Sequence, residues 1–203
     1  VGEALLLDQL PNLEQFIHAD DGLDPLVKMA VQHYQFEAIH PFTDGNGRTG
    51  RIVNILYLIE AGLLDIPVLY LSRHIIDNKN DYYTGLRQVT EAHGWEPWTL
   101  YMLHAIEQTA RATRERILAI RDALNESIER VRIDLPKIYS KDLMELLFRQ
   151  PYCKIRFLEA AGIAQRKTAS HYLQELARIG LLSPIKAGRE MYYLNTALLK
   201  ILV

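Results

Sequence analysis

The chain has 203 residues, 49% hydrophobic and 24% charged, with a net charge of −2. That apolar content excludes a disordered chain, and the length suits one large domain or a medium domain with a small one. The longest greasy stretch, Ile52 to Leu64, is broken by Asn54 and Glu60, short of the roughly 18 apolar residues of a membrane span. The opening Val1-Gly-Glu-Ala lacks a signal peptide's basic region, and a start at Val1 suggests a fragment or processed chain. One cysteine, Cys153, cannot close an internal disulfide, which points to a reducing, cytoplasmic setting without a membrane partner. The small net charge hides a split. Residues 1–136 carry 12 Lys and Arg against 20 Asp and Glu, a net of −8, whereas residues 137–203 carry 11 against 5, a net of +6.

In chain order the pattern is helical. Leu5, Leu6, Leu10, Leu13 and Phe16 recur at helical spacing, with Pro11 interrupting or starting a helix. Leu26, Met29, Ala30, His33, Phe36 and Ile39 form an apolar stripe that should stop at His40, because a residue before proline leaves helical geometry. After a glycine-rich turn, Ile52, Val53, Ile55, Leu56, Leu58 and Ile59 predict a helix apolar nearly all round, hence buried, ending at Gly62. Ile66 to Leu71 reads as extended and leads to a helix holding Tyr82, Tyr83 and Leu86. Thr99 to Ile133 lacks Gly and Pro, and Leu103, Ile106, Ala110, Thr113, Ile117, Ile120, Leu124 and Val131 fall close to a heptad seam. One long helix or two packed on the core is expected there, a homodimer seam being the alternative.

Pro136 marks a boundary between domains 1–135 and 136–203. Beyond it come a helix over Ser140–Phe148, a short piece around Tyr152–Ile155 and a helix over Arg156–Ala161. A turn at Gly162 leads to a helix over Gln165–Ile179, then to strands Leu181–Lys186 and Met191–Leu194 around Ala187-Gly188-Arg189. That order is a winged helix-turn-helix with a short β-hairpin. The fold class is therefore mainly α, a helical core followed by this small domain.

The most informative stretch is His40-Pro-Phe-Thr-Asp-Gly-Asn-Gly-Arg-Thr-Gly-Arg51. Gly45, Gly47 and Gly50 satisfy G-x-G-x-x-G, but a dinucleotide fold needs a strand before it, and helix precedes. A Walker loop fails for want of Lys-Ser/Thr. A calcium loop from Asp44 fails because its twelfth position is Ile55. His33, Glu37 and His40 share a helical face and offer a two-His-one-carboxylate metal site. The turn itself suits an anion. Its glycines permit close backbone approach, and it feeds a helix N-terminus whose free N–H groups and dipole favour negative charge. Arg48 and Arg51 add two cations, the arrangement for a polyphosphate. Asp44 can give one carboxylate to a phosphate-bound Mg²⁺, and His40 can act as a general base near neutral pH.

This motif resembles, position by position, the signature of the Fic (filamentation-induced-by-cAMP) proteins, over residues 12–135, and the appended winged helix is similar to a bacterial subgroup with the same layout. The resemblance implies a protein adenylyltransferase, moving AMP from ATP to a Ser, Thr or Tyr hydroxyl of a target protein and releasing pyrophosphate. It implies His40 as base, Asp44 as Mg²⁺ ligand, and an α-phosphate cradle of Asn46 with Gly45 and Gly47. Arg48 and Arg51 would grip the distal phosphates, with Thr49 and Gly50 in the same ATP-binding turn. Tyr82 and Tyr83 occupy the place where the family presents aromatics to adenosine; one core and one surface tyrosine is the other reading. Gly47 stands where the phosphorylating branch carries Lys, which favours nucleotidyl transfer. Two family features have no counterpart in this sequence, the target-aligning β-hairpin flap before the motif and the inhibitory Ser/Thr-x-x-x-Glu-Gly/Asn helix.

In the basic module, Arg166, Lys167, Thr168, Ser170 and His171 cluster at a helix start, where a recognition helix meets DNA, and Arg189 at the wing tip can reach a phosphate. Protein contacts are the competing use. A DNA-binding regulator whose core binds nucleotide with little turnover is the alternative to the enzyme.

Overall fold

The computed structural model describes residues 3–203, with side chains from Leu6 onward; Leu5 of the first apolar stripe lies outside the described side chains. Helix α1, Glu3–His18, runs through Pro11 without a break, so proline removes one hydrogen bond but does not end the helix. Helix α2, Pro25–Ile39, starts where Asp24 accepts the Leu26 N–H at 2.8 Å and where Pro25 takes the first position, which needs no donor. Helix α3 spans Asn46–Glu60, α4 Leu71–Asp77 and α5 Lys79–Ala92. Helix α6, Trp95–Asp134, is continuous, deciding between one helix and two.

Then follow α7 (Lys141–Phe148), β1 (Tyr152–Cys153), α8 (Ile155–Ala160), α9 (Arg166–Arg178), β2 (Leu182–Ala187), β3 (Glu190–Asn195) and α10 (Thr196–Leu202). The strands form one antiparallel sheet ordered β1-β3-β2, with Leu182 opposite Asn195 and Tyr152 opposite Leu194. The expected element order of this region holds, with β1 as a third strand and α10 added beyond the hairpin.

The chain forms two compact units, Val1–Thr113 and Arg114–Val203, dividing inside α6. In the first, Met29, Leu58, Leu71, Trp98 and Met102 are fully buried, each worth about 1.5–3 kcal/mol on removal from water. The Trp98 indole N–H donates to the Ala30 carbonyl at 2.8 Å, so this large ring is buried without an unsatisfied donor. In the second, Leu143, Met144, Leu147, Leu158, Leu173 and Leu176 make the core, closed by Val131 and Leu135. Asn195 accepts the Leu198 N–H and donates to the Leu147 carbonyl, capping α10 and tying β3 to α7.

Two local expectations fail. Helix α3 is not buried all round: Ile52 and Leu56, one turn apart, are 56% and 58% exposed. Apolar content alone does not say which faces are covered; α3 packs its Tyr57–Leu58 side and leaves the other open. Residues 66–70 form no strand, because a strand needs a partner edge and none of the sheet is in this unit. Of the α6 seam, Ile106 and Val131 are buried, whereas Ile117 is half exposed.

Candidate active site

Helix α2 stops on schedule. His40 takes the C-cap in the left-handed region, φ 50° and ψ 58°, and its backbone N–H closes onto the Phe36 carbonyl at 3.1 Å. The exposed imidazole thus leaves the helix line and stands at the mouth of the turn. Asn46 holds the turn shut: buried, it accepts the Phe42 N–H at 2.8 Å and donates to the Phe42 carbonyl at 2.6 Å. Its amide is thus committed to the Phe42 backbone on both its oxygen and its nitrogen, while its backbone N–H has no helical acceptor.

Gly45 caps α3 at φ 86°, where a side chain is strained, and supplies no capping group of its own. The first helical bond runs from the Thr49 N–H to the Gly45 carbonyl at 2.9 Å. The N–H groups of Asn46, Gly47 and Arg48 have no helical acceptor, the usual basis of an anion site. Thr49 has used its donor inside the helix. Gly50 serves packing: a Cβ there would lie 3.0 Å from Glu37 Oε1 and 3.1 Å from Phe36 Cδ1, so any side chain would push these neighbours back by a few tenths of an ångström where α3 meets α2.

Charged groups surround this N-terminus. Asp44 accepts the Gly45 N–H at 2.7 Å and pairs with Arg48 at 3.0 Å, both side chains largely in water. Such an exposed pair stabilises by less than about 1 kcal/mol, so it opens readily for a polyphosphate. Arg51 is anchored by its Nε donating to Ser72 Oγ at 2.7 Å, from the first turn of α4. Glu37 lies beneath: its Oε1 is buried without a hydrogen-bond partner, and burial raises its carboxyl above the ordinary range while Arg51 and His40 oppose the shift.

His33 is buried, its Nε2 3.0 Å from the Tyr82 hydroxyl. Burial first, then the Arg51 charge, lower its pKa to about 4. The metal site that the spacing of His33, Glu37 and His40 offers is not assembled. His33 faces the core, the left-handed turn takes His40 off the shared face, and no group of three His, Cys, Asp or Glu suited to a metal occurs among the described residues. Asp44, by contrast, is exposed and offers a single carboxylate that a hydrated cation can reach.

The two tyrosines separate. Tyr82 is 4% exposed, its hydroxyl committed to His33, while Tyr83 is 57% exposed and meets Tyr82 edge-on. Only Tyr83 presents a ring to solvent. In the second unit, Arg166, Lys167 and Thr168 open α9 and are exposed, as are His171 and, in the hairpin turn, Arg189; Ser170 is half-buried. Neither Ser72 as the partner of Arg51 nor the half-buried Glu37 near its charge was legible in the sequence. Ser72 lies 21 residues from Arg51, and Glu37 shows only a spacing that mimics a metal ligand.

The model of the Fic/DOC family matches residues 4–58, and that described as the C-terminal domain of SoFic-like protein adenylyltransferases matches residues 124–198. A protein adenylyltransferase Fic of Nematostella vectensis is 36% identical over 91 residues, 44% of this chain and 19% of that protein. A probable protein adenylyltransferase of Aquifex aeolicus is 35% identical over 86 residues, 40% of this chain and 24% of that protein. The chain thus spans less than a quarter of these curated relatives. The crystal structure of a Fic family protein from Desulfovibrio desulfuricans G20 has a TM-score of 0.51 at 22% identity, covering 94% of this chain and 55% of that one, a likeness of fold. Two family models thus meet different parts of the chain: its N-terminal part, with the glycine-rich motif, is similar to Fic/DOC proteins, and its C-terminal part is similar to the C-terminal domain of SoFic-like protein adenylyltransferases.

Proposed function

We propose that this chain transfers AMP from ATP to a Ser, Thr or Tyr hydroxyl of a target protein. The observation that carries the reading is the N-terminus of α3, which has no side-chain cap, carries Arg48 and Arg51 in its first two turns, and follows the exposed His40 by a short turn. The N–H groups of Asn46, Gly47 and Arg48 hold the α- and β-phosphates, and Arg48 and Arg51 take the distal charge. His40 accepts the hydroxyl proton as the oxygen attacks the α-phosphorus; the bond from that phosphorus to the bridging oxygen breaks, and pyrophosphate leaves. Magnesium on Asp44 would offset charge on the phosphates and the leaving group. Tyr83 covers the adenine. The curated relatives carry the name protein adenylyltransferase, and Gly47 leaves out the lysine of the phosphorylating branch. An ATP-dependent reaction and a buried thiol at Cys153 suit a cytoplasmic setting, and among the described residues no helix is long and apolar enough to cross a membrane.

Incubation with ATP, Mg²⁺ and a cell lysate, followed by peptide mass spectrometry, should find AMP on hydroxyl side chains; phosphate alone on those residues would overturn the reading. Arg51→Ala should weaken ATP binding about tenfold or more, since a charge-assisted contact stabilises by roughly 1.5–3 kcal/mol. Calorimetric titration with a non-hydrolysable ATP analogue checks this, and wild-type affinity would remove the phosphate role of Arg51.

A second reading concerns the C-terminal unit, which we assign to DNA binding. Its net of +6 over residues 137–203 and the exposed Arg166, Lys167 and His171 on α9 favour it. In that reading α9 is the recognition helix and the β2–β3 hairpin the wing of a winged helix-turn-helix.

A further inference from the structure

The second unit contains a cavity of about 360 Å³ to which three elements each bring one arginine. Arg156 comes from α8, Arg166 from the first turn of α9, and Arg189 from the β2–β3 turn. All three are exposed, and none has a carboxylate within 4 Å among the described residues, whereas Arg178 in the last turn of the same α9 is paired with Glu175. Two other charges line the cavity wall in balance. Lys154, buried, bonds Glu190 and also donates to the Tyr192 hydroxyl at 2.8 Å. Glu159 is the remaining acid, so the pocket keeps an excess of two positive charges. The Lys154–Glu190–Tyr192 contact ties the start of α8 to the hairpin, and Lys154 lies 4.0 Å over the Tyr192 ring. That strut fixes the spacing of Arg156 and Arg189, which is what a preorganised site requires.

We infer that this arginine pocket receives a backbone phosphate of duplex DNA, with Arg156 as a contact not visible from the helix or wing patterns alone. The proposal rests on the DNA reading of this unit. Three guanidinium groups around one concavity suit a phosphate, which accepts several charge-assisted hydrogen bonds at once. The pocket borders the first turn of α9, so a phosphate held there brings the exposed Lys167 and His171, with the half-buried Ser170 between them, onto the adjoining groove. A free phosphate shares this chemistry, but the polar, acid-poor face continuing along α9 favours the polymer.

The test uses the whole chain and a fluorescein-labelled random duplex, followed by anisotropy across a salt series. Wild type should bind at low salt and lose affinity linearly in log–log form. Arg156→Gln, Arg166→Gln and Arg189→Gln should each weaken binding about tenfold and lower the salt slope by about one, whereas Lys200→Gln, outside the pocket, should match wild type. Failure of the wild type to bind at low salt would overturn the DNA reading itself. Wild-type binding retained in all three arginine variants would overturn the pocket alone. Titration with pyrophosphate supplies the third arm: saturation abolished by Arg156→Gln, without duplex binding, would assign the pocket to a free anion and contradict the proposal.

Discussion

Replacing His40 should lower AMP transfer by two to four orders of magnitude or more while ATP binding stays within about twofold. A general base acts on the hydroxyl only in the transition state, and general-base effects have this size. Binding rests elsewhere, on the N–H groups of the α3 N-terminus and on Arg48 and Arg51. His40 occupies the left-handed region, which alanine adopts less readily than histidine, so His40→Ala adds a backbone effect that has nothing to do with chemistry. Asparagine tolerates that conformation, so His40→Asn separates the two effects: the same loss of transfer, with a melting temperature close to wild type. Equal loss of binding and transfer in His40→Asn would mark the histidine as structural.

The second large effect is on stability. His33 is neutral in the fold, its pKa lowered from 6.5 to about 4. Above pH 6.5 both folded and unfolded chains carry it neutral, and its contribution is fully present. As pH falls from 6.5 towards 4 the unfolded chain takes up a proton that the buried ring refuses, and stability is lost progressively, by about 3 kcal/mol across the window. The raised carboxyl of Glu37 acts in the opposite sense near the lower end, since the fold then holds a proton more tightly than the unfolded chain. Comparison with His33→Gln, which can keep a hydrogen bond to Tyr82, isolates the histidine. Urea denaturation at pH 7, 5.5 and 4.5 should show the wild type falling more steeply than the variant. Parallel decline in both would show that His33 is not the group responsible.

The parts of this site legible in the sequence are those fixed by local backbone chemistry. His40 before Pro41 ends a helix whatever surrounds it, and Gly45 permits the turn that opens the next one. Tertiary contacts were not legible. Nothing near Arg51 announces Ser72, and only packing shows that Asn46 spends its side chain on Phe42 or that Tyr82 is turned into the core against His33. The same holds for the fold. The element order of the second unit follows from periodicity and glycine positions, yet β1 is two residues long and exists only because β3 lies beside it. The exposure of Ile52 and Leu56 likewise depends on which face of α3 meets α2. Arg156 joins Arg166 and Arg189 only when α8, α9 and the hairpin are folded together.

The central claim is that the phosphorus attacked is the α-phosphorus of ATP. Parallel incubations with α-labelled and γ-labelled ATP, Mg²⁺ and a lysate, resolved on a denaturing gel with released pyrophosphate measured, test it most directly. The account predicts protein-bound label from α-labelled ATP alone, with an equal yield of pyrophosphate and neither in His40→Asn. Label entering protein from γ-labelled ATP would contradict it, as would tight ATP binding with no transfer of either label, which is the behaviour of a nucleotide-binding regulator.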